Sequence, residues 1–260
     1  MKKSTLFAEE RRYEIVKLLN TSEKLLIPSL CEKFEVSPAT MRSDFRALEK
    51  AGLLKRTHGG AIPMRNAAYE LATRAKEVER MDEKRKIAAY AATLVQNGDT
   101  IIVDTGTTTM ELAKRLTEKV DIKVVTNDIK ITLFLEEHTN FEIFLLGGMI
   151  RRDYHCAMGD TAMRQIKDLN VDKAFMGVNA LCIEKGFSTP SLELASVKKA
   201  MISAATSAIF LLDSQKLDRV SFAHIAGISE ADVLITDNGA DESFVDRVKV
   251  EGKHIDVVVV

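Results

Sequence analysis

The sequence predicts two domains of different class: a small α+β head, then a larger α/β body on a mostly parallel sheet. Three observations lead there. The first 65 residues read as short amphipathic helices and a pair of brief strands, whereas from Thr100 onward Val/Ile/Leu runs alternate with helical stretches. Charge divides at the same place: residues 1–65 carry 13 Lys and Arg against 8 Asp and Glu, the remainder 24 against 30. The 260 residues leave room for one small and one medium domain. The expected boundaries are a head over 1–65, a helical linker over 66–97 running into the body, and the body over 98–260.

In the head, Leu6 to Leu19 places Ile15, Leu18 and Leu19 on one helical face, with Glu9, Glu10, Arg11 and Arg12 outside it. Ile27 to Phe34 is a short second helix packed through Leu30 and Phe34. Ser37 is a good N-cap for a third, and Pro38 sits where a missing N–H is tolerated. Met41, Phe45 and Leu48 recur at helical spacing as a buried stripe, and Gly52 is the stop. Off the stripe lie Ala39, Thr40, Arg42, Ser43 and Arg46, small, hydroxylic or guanidinium side chains suited to base edges and phosphates. Leu53–Thr57 and Gly59–Ile62 follow as a two-stranded wing, with Lys55, Arg56 and His58 near its turn. A winged helix-turn-helix fits this arrangement better than a three-helix protein-interaction module. Its basic balance points to a polyanion such as double-stranded DNA.

Residues 66–97 are helical in pattern with a charged middle, Lys76 to Lys86, closed by the turn signal Asn97-Gly98-Asp99. In the body, strands are expected at 101–103, 122–125, 142–146, 173–178, 208–212, 233–235 and 255–260. Helices are expected at 110–116, 129–137, 161–169, 192–206 and 241–248. Apolar strands separated by helices argue for a parallel sheet covered on both faces. In such folds ligands gather at the carboxyl ends of strands. Polar turns stand there: Asp104-Thr105-Gly106-Thr107, Thr126-Asn127, Gly147-Gly148 and Asp213-Ser214-Gln215-Lys216. The stretch DTGTTT, residues 104–109, joins a strand to a helix through Gly and Thr. Free helix N–H groups and hydroxyls would both donate to a phosphate there.

Other classes are disfavoured. At 46% hydrophobic with no Trp, the composition is that of a globular domain with an aliphatic core. No apolar run approaches the ~18 residues of a membrane span. The N-terminus turns charged where a signal peptide would turn apolar, so a cytoplasmic protein is expected. Cys31, Cys156 and Cys182 are scattered, without metal spacing, and read as free thiols. His155 and Cys156, adjacent on a strand, would point to opposite faces. No metal or cofactor is expected.

The stretch "VSPATMRSDFRALEKAGLLKRTHGGA", residues 36–61, resembles the DNA-binding domain of the DeoR family of bacterial transcription regulators. Ser43 stands where that family usually has a second Arg. The body resembles the DeoR-type sensor domain through Asp104–Thr108, Thr126-Asn127, Gly147-Gly148-x-x-Arg151, Gly159, Asp172–Gly177, Gly186-Phe187-Ser188, Glu193, Lys198 and Asp213-x-x-Lys216. That domain looks like ribose-5-phosphate isomerase and is understood to bind phosphorylated sugars or related metabolites. The resemblance implies that Gly106, Thr107, Thr108 and Thr109 cradle a phosphate. Asp104, Asn127, Gly147, Arg151, Glu193, Lys198 and Lys216 would meet the rest of the effector or close its pocket. Two positions depart from the family: Gly177–Leu181 lacks a second glycine, and Gln215 replaces Ser.

Isomerising a sugar phosphate needs a carboxylate base beside the carbon acid. The related isomerases have acids after the strand corresponding to Ala174–Gly177, but here the first is Glu184, so catalysis is not expected. The expectation is a repressor of a sugar or metabolite operon, acting as a dimer or tetramer under a phosphorylated effector. The alternatives are a DNA-binding protein whose body is a dimerisation scaffold with a degenerate pocket, and, further off, an isomerase-like enzyme.

Overall fold

The computed structural model of the chain describes residues 8–21, 24–50, 54–63 and 79–260. The chain divides into two compact units, Met1–Tyr69 and Glu70–Val260. Expectations resting on Leu6, Gly52, Leu53 and residues 66–78 of the linker lie outside the described residues.

The smaller unit runs α1 (Ala8–Thr21), β1 (Leu25–Leu26), α2 (Ile27–Phe34), α3 (Pro38–Lys50), β2 (Leu54–Thr57) and β3 (Gly60–Pro63). β3 lies between β1 and β2, antiparallel to both, as the wing. The two-residue β1 had no signature in the sequence pattern. α3 starts after Ser37, whose Oγ accepts the Thr40 N–H at 3.1 Å. Ile15, Leu19, Leu30, Phe34, Met41, Phe45 and Leu48 are buried, so three helical stripes meet in one core. Each such side chain contributes roughly 1.5–3 kcal/mol through removal from water.

One expectation is overturned: Arg11 is not on the outer face of α1. It is buried, and its Nε donates to Asp44 Oδ2 at 2.6 Å, while Arg12 Nε donates to Asp44 Oδ1 at 2.8 Å. A carboxylate as buried as Asp44 needs a charged partner, and both arginines of α1 supply one. Asp44 therefore clamps α3 to α1.

The first described helix of the larger unit is α4 (Met81–Thr93), in which Ile87, Ala88 and Ala91 are fully buried. The described part of the expected linker is thus a covering layer of the body. There follow β4 (Thr100–Val103), α5 (Thr107–Arg115), β5 (Lys123–Thr126), α6 (Ile129–His138), β6 (Glu142–Leu145), β7 (Met149–Arg151) and β8 (Cys156–Met158). Next come α7 (Asp160–Lys167), β9 (Val171–Gly177), β10 (Ala180–Cys182), β11 (Gly186–Thr189), α8 (Leu192–Ser203) and β12 (Ala205–Leu211). The chain ends with β13 (Ala223–Ala226), β14 (Val233–Thr236), α9 (Glu242–Gly252) and β15 (Asp256–Val259).

Seven strands form one parallel sheet in the order β15-β14-β12-β9-β4-β5-β6. Alternation sorts its side chains between two cores. Ile101, Val103 and Phe175 pack with α4, α5 and α6 on one face. Ile102, Ala174 and Met176 pack with α7, α8 and α9 on the other. The order runs one way from β4 through β5 to β6 and the other way from β9 through β12. The connections therefore leave the adjacent strands β4 and β9 in opposite directions, and a crevice opens outside their carboxyl ends.

Short antiparallel pieces escaped the period-based reading: the hairpin β7–β8 and the small sheet β10-β11-β13. The helix expected over 192–206 stops at Ser203, because Ala205 already pairs with Val171 in β12. His155 is not on a strand with Cys156. It takes φ 56° in the turn before β8. The C-terminal valines form β15, the edge strand of the sheet.

Candidate functional site

The head presents α3 and the wing. Along α3 the stripe residues face inward, leaving Ala39, Arg42, Ser43 and Arg46 exposed and Thr40 half-buried. Arg46 Nε reaches the Arg42 carbonyl at 3.4 Å, so the two guanidinium groups stand one turn apart on the outer face. Ser37 and Thr40 are engaged in the cap, their hydroxyls 2.9 Å apart. On the wing, Lys55 and His58 are exposed, while Arg56 is tied back to α3: its Nε donates to Glu49 Oε2 at 2.5 Å and its amide to Oε1 at 3.0 Å. Wing and helix are thus held in one orientation as a single surface.

The body opens a cleft of about 570 Å³, its mouth included, at the β4/β9 crevice. The turn after β4 and the start of α5 supply Thr105 to Thr109. Gly106 precedes α5 with φ 154°, and no side chain caps the helix. The first N–H groups of a helix have no intrahelical acceptor, so these face the cleft as donors. Thr108 and Thr109 are buried; Thr109 Oγ1 donates to the Gly106 carbonyl at 3.0 Å and fixes the turn. Opposite lie Gly177, Val178 and Asn179 after β9, and Thr189, whose hydroxyl donates to Asn179 Oδ1 at 2.9 Å.

Three cations line the cleft: Arg151, Lys198 and Lys216. Among the described residues, no carboxylate does. Lys198, on α8, is held from below, its Nζ donating to Asp104 Oδ2 and to the Gly177 carbonyl. Burial pushes the Asp104 carboxyl above its ordinary value, against the pull of Lys198. Lys216 ends a single turn of 3-10 helix, Ser214–Lys216, and its Nζ lies 3.6 Å from Asp213 Oδ2. Arg151, at the end of β7, stacks its guanidinium 3.7 Å over the Tyr154 ring.

Gly106, Thr107, Thr108, Thr109, Arg151, Lys198 and Lys216 are therefore brought together. Four other residues carried over by the resemblance do not line the cleft. Asp104 is fully buried beneath it. Asn127 is fully buried too, donating to the Ala157 carbonyl at 3.0 Å while Ala157 N–H returns to the Asn127 carbonyl at 2.8 Å. That exchange docks the β7–β8 hairpin, which carries Arg151 and Tyr154. Gly147 donates its N–H to Gln165, and Glu193 is exposed at the first turn of α8, bonded to Ser191. Asp128, the cap of α6, accepts the Thr105 hydroxyl at 2.6 Å.

Sequence reasoning missed Tyr154, Thr189 and Leu194 as lining residues. The readable signal was the polar Arg-Arg-Asp-Tyr-His between two short apolar runs, which marks a hairpin tip. Cys156 lines the cleft as a buried thiol that burial pushes up to about 11, so it stays protonated near neutrality. Among the described residues, no group of three or more His, Cys, Asp or Glu side chains is placed to hold a metal, and no helix is long and apolar enough to cross a membrane.

A winged DNA-reading unit in one chain with a ligand-cleft unit defines a DNA-binding regulator with a built-in sensor. Comparison with known proteins gives its family. Residues 11–66 match the DeoR-like helix-turn-helix domain and residues 79–238 the DeoR C terminal sensor domain. The HTH-type transcriptional regulator GlpR of Haloferax volcanii is 36% identical over 249 residues, covering 96% of each chain. The HTH-type transcriptional repressor GlcR of Bacillus subtilis is 33% identical over 249 residues, covering 95% of each. Among solved structures, ribose 5-phosphate isomerase A of Methanocaldococcus jannaschii aligns at a TM-score of 0.39 and 18% identity, over 52% of this chain and 54% of that one. The chain belongs to the DeoR family of transcriptional regulators: it binds DNA through its head and senses a small molecule through its body.

Proposed function

We propose that this regulator is a repressor of sugar or related metabolite genes whose effector is a phosphorylated small molecule bound in the body cleft. One observation carries the effector class. The uncapped N-terminus of α5 opens onto a cleft lined by Arg151, Lys198 and Lys216 and, among the described residues, by no carboxylate. Backbone donors at a positive helix end, with lysine and guanidinium charge around them, suit a phosphate dianion. The polar side chains Asn179 and Thr189 on the facing wall suit the hydroxyls of a sugar or polyol. Repression is supported by relatives named as repressors, GlcR of Bacillus subtilis among them.

On the DNA side, Ala39, Thr40, Arg42, Ser43 and Arg46 read the major groove, with Ser37 holding the start of the helix. Lys55, Arg56 and His58 lie along the backbone. The protein works in the cytoplasm as a dimer or larger assembly, since a helix-turn-helix reads paired half-sites. Effector binding favours one arrangement of the assembly and lowers operator affinity by linkage.

The test is thermal unfolding of the full chain with phosphorylated sugars and glycerol phosphate beside their unphosphorylated parents. A ligand at about 100 times its dissociation constant adds about 2.7 kcal/mol, which raises the melting temperature by a few degrees. A phosphate ester that raises it, its parent leaving it unchanged, supports the reading, and Thr107→Val and Lys216→Ala should abolish the shift while preserving operator binding. A broad panel with no shift would sink the phosphate reading and leave the body as a scaffold.

A further inference from the structure

We propose that Asp237 is a positioning residue that links the cleft to the start of α4, the first described helix of the body. The inference rests on the reading of the cleft as a phosphate site.

Asp237 follows β14 and is fully buried, at the same carboxyl end of the sheet as the cleft. Its carboxylate holds two separate pieces of chain. On one side Oδ1 accepts the Ser214 N–H at 2.6 Å, and Oδ2 accepts the Ser214 hydroxyl at 2.9 Å. Ser214 begins the single 3-10 turn that ends at Lys216, one of the three cations of the cleft. On the other side Oδ2 accepts Arg80 Nη2 at 2.8 Å. Arg80 stands immediately before α4, in a left-handed conformation at φ 50°, and its carbonyl accepts the Lys84 N–H at 3.1 Å. Arg80 therefore fixes how α4 begins.

Two further observations mark the cluster as close-set. Gly239 donates its N–H to Asp237 Oδ2 at 3.0 Å, and a Cβ at that glycine would come within 2.6 Å of Ser214 Oγ and 2.9 Å of Asp237 Oδ2. Among the described residues Arg80 Nε is buried without a hydrogen-bond partner, and Nη2 pairs with Asp237 and Glu83. A short turn and a helix start share one carboxylate, with no slack between them.

An anion at the N-terminus of α5 competes with Asp213 for the Lys216 ammonium, now 3.6 Å from Asp213 Oδ2. Drawing Lys216 into the cleft turns Ser214, Ser214 shifts the two bonds it makes to Asp237, and Arg80 follows on the shared Oδ2. Occupancy is thereby felt at the first turn of α4. The coupling is a tertiary contact between residues far apart in sequence, and it needs no contact between ligand and head.

The experiment is amide hydrogen exchange on the full chain, with inorganic phosphate at tens of millimolar against sodium chloride of matched ionic strength. In the parent, phosphate should slow exchange several-fold at 106–109, and should change exchange at 80–84. In Asp237→Asn the response at 106–109 should remain and the response at 80–84 should vanish. Arg80→Ala cuts the same path from the other end and serves if Asp237→Asn fails to fold. A merely structural tie would raise exchange at 80–84 equally with and without phosphate, leaving the phosphate-dependent difference unchanged in size. Protection at 106–109 with no response at 80–84 in the parent, or a response that survives both variants, overturns the coupling but not the phosphate site. Silence at both segments overturns the phosphate site, and the coupling falls with it.

Discussion

At Asp44 two guanidinium groups meet one buried carboxylate. Removing the acid takes from Arg11 and Arg12 the carboxylate they share inside the head. Asp44→Ala should therefore cost about 3 kcal/mol, read by urea unfolding of the full chain. The outward arginines of α3 are expected to behave differently. Arg42→Ala and Arg46→Ala should leave the melting temperature unchanged and weaken operator binding, and a phosphate-contacting arginine should make the salt slope shallower by about 1. Normal operator affinity in both would exclude α3 as the reading helix. Asp237 sets a pH dependence. Burial raises its carboxyl, but N–H groups of Ser214 and Gly239, with the Ser214 hydroxyl and Arg80, outweigh it and hold the group below its ordinary value. A lowered carboxyl contributes stability above the unfolded value of about 3.9 that is lost as pH falls through the folded one. Asp237→Asn should start less stable at neutrality and lose less between pH 5 and 3, in thermal melts across that range. An acid limb as steep as the parent's would refute this.

Among the elements, α5 depends most on its entry. Gly106 at φ 154° lets the chain leave β4 and begin a helix at Thr107 without a capping side chain in the way. Gly106→Ala should cost about 1–3 kcal/mol in strain and abolish the phosphate-dependent thermal shift. A retained shift would show that the cradle does not need this backbone. The β7–β8 hairpin is one of the elements that sequence reading lost. Three-residue strands show too little alternation to register, and Asp153 and His155 enter left-handed turn conformations that their types do not announce. The family resemblance places Asn127 with the effector, and the hairpin it supports escapes the hydrophobic period. Its buried side chain in fact holds the hairpin's Ala157 carbonyl.

For the whole molecule, a dimer or tetramer is expected in sedimentation, with an operator footprint of two half-sites about 34–36 Å apart or a multiple of that. A monomer protecting one half-site would refute it. By itself the sequence determined the two-domain plan, the seven sheet strands and the strand-to-helix turn at 104–109. Those features rest on local causes: hydrophobic period, caps, glycine placement and strand-to-helix turns act between near neighbours. Only the tertiary structure decided which polar residues share a cleft and which are buried supports. Arg11 needed Asp44, Asn127 needed Ala157 and Asp104 needed Lys198, each pair 30 or more residues apart. A buried polar group takes its role from the partner that satisfies it. That partner is named by the fold, because no spacing along the chain records it.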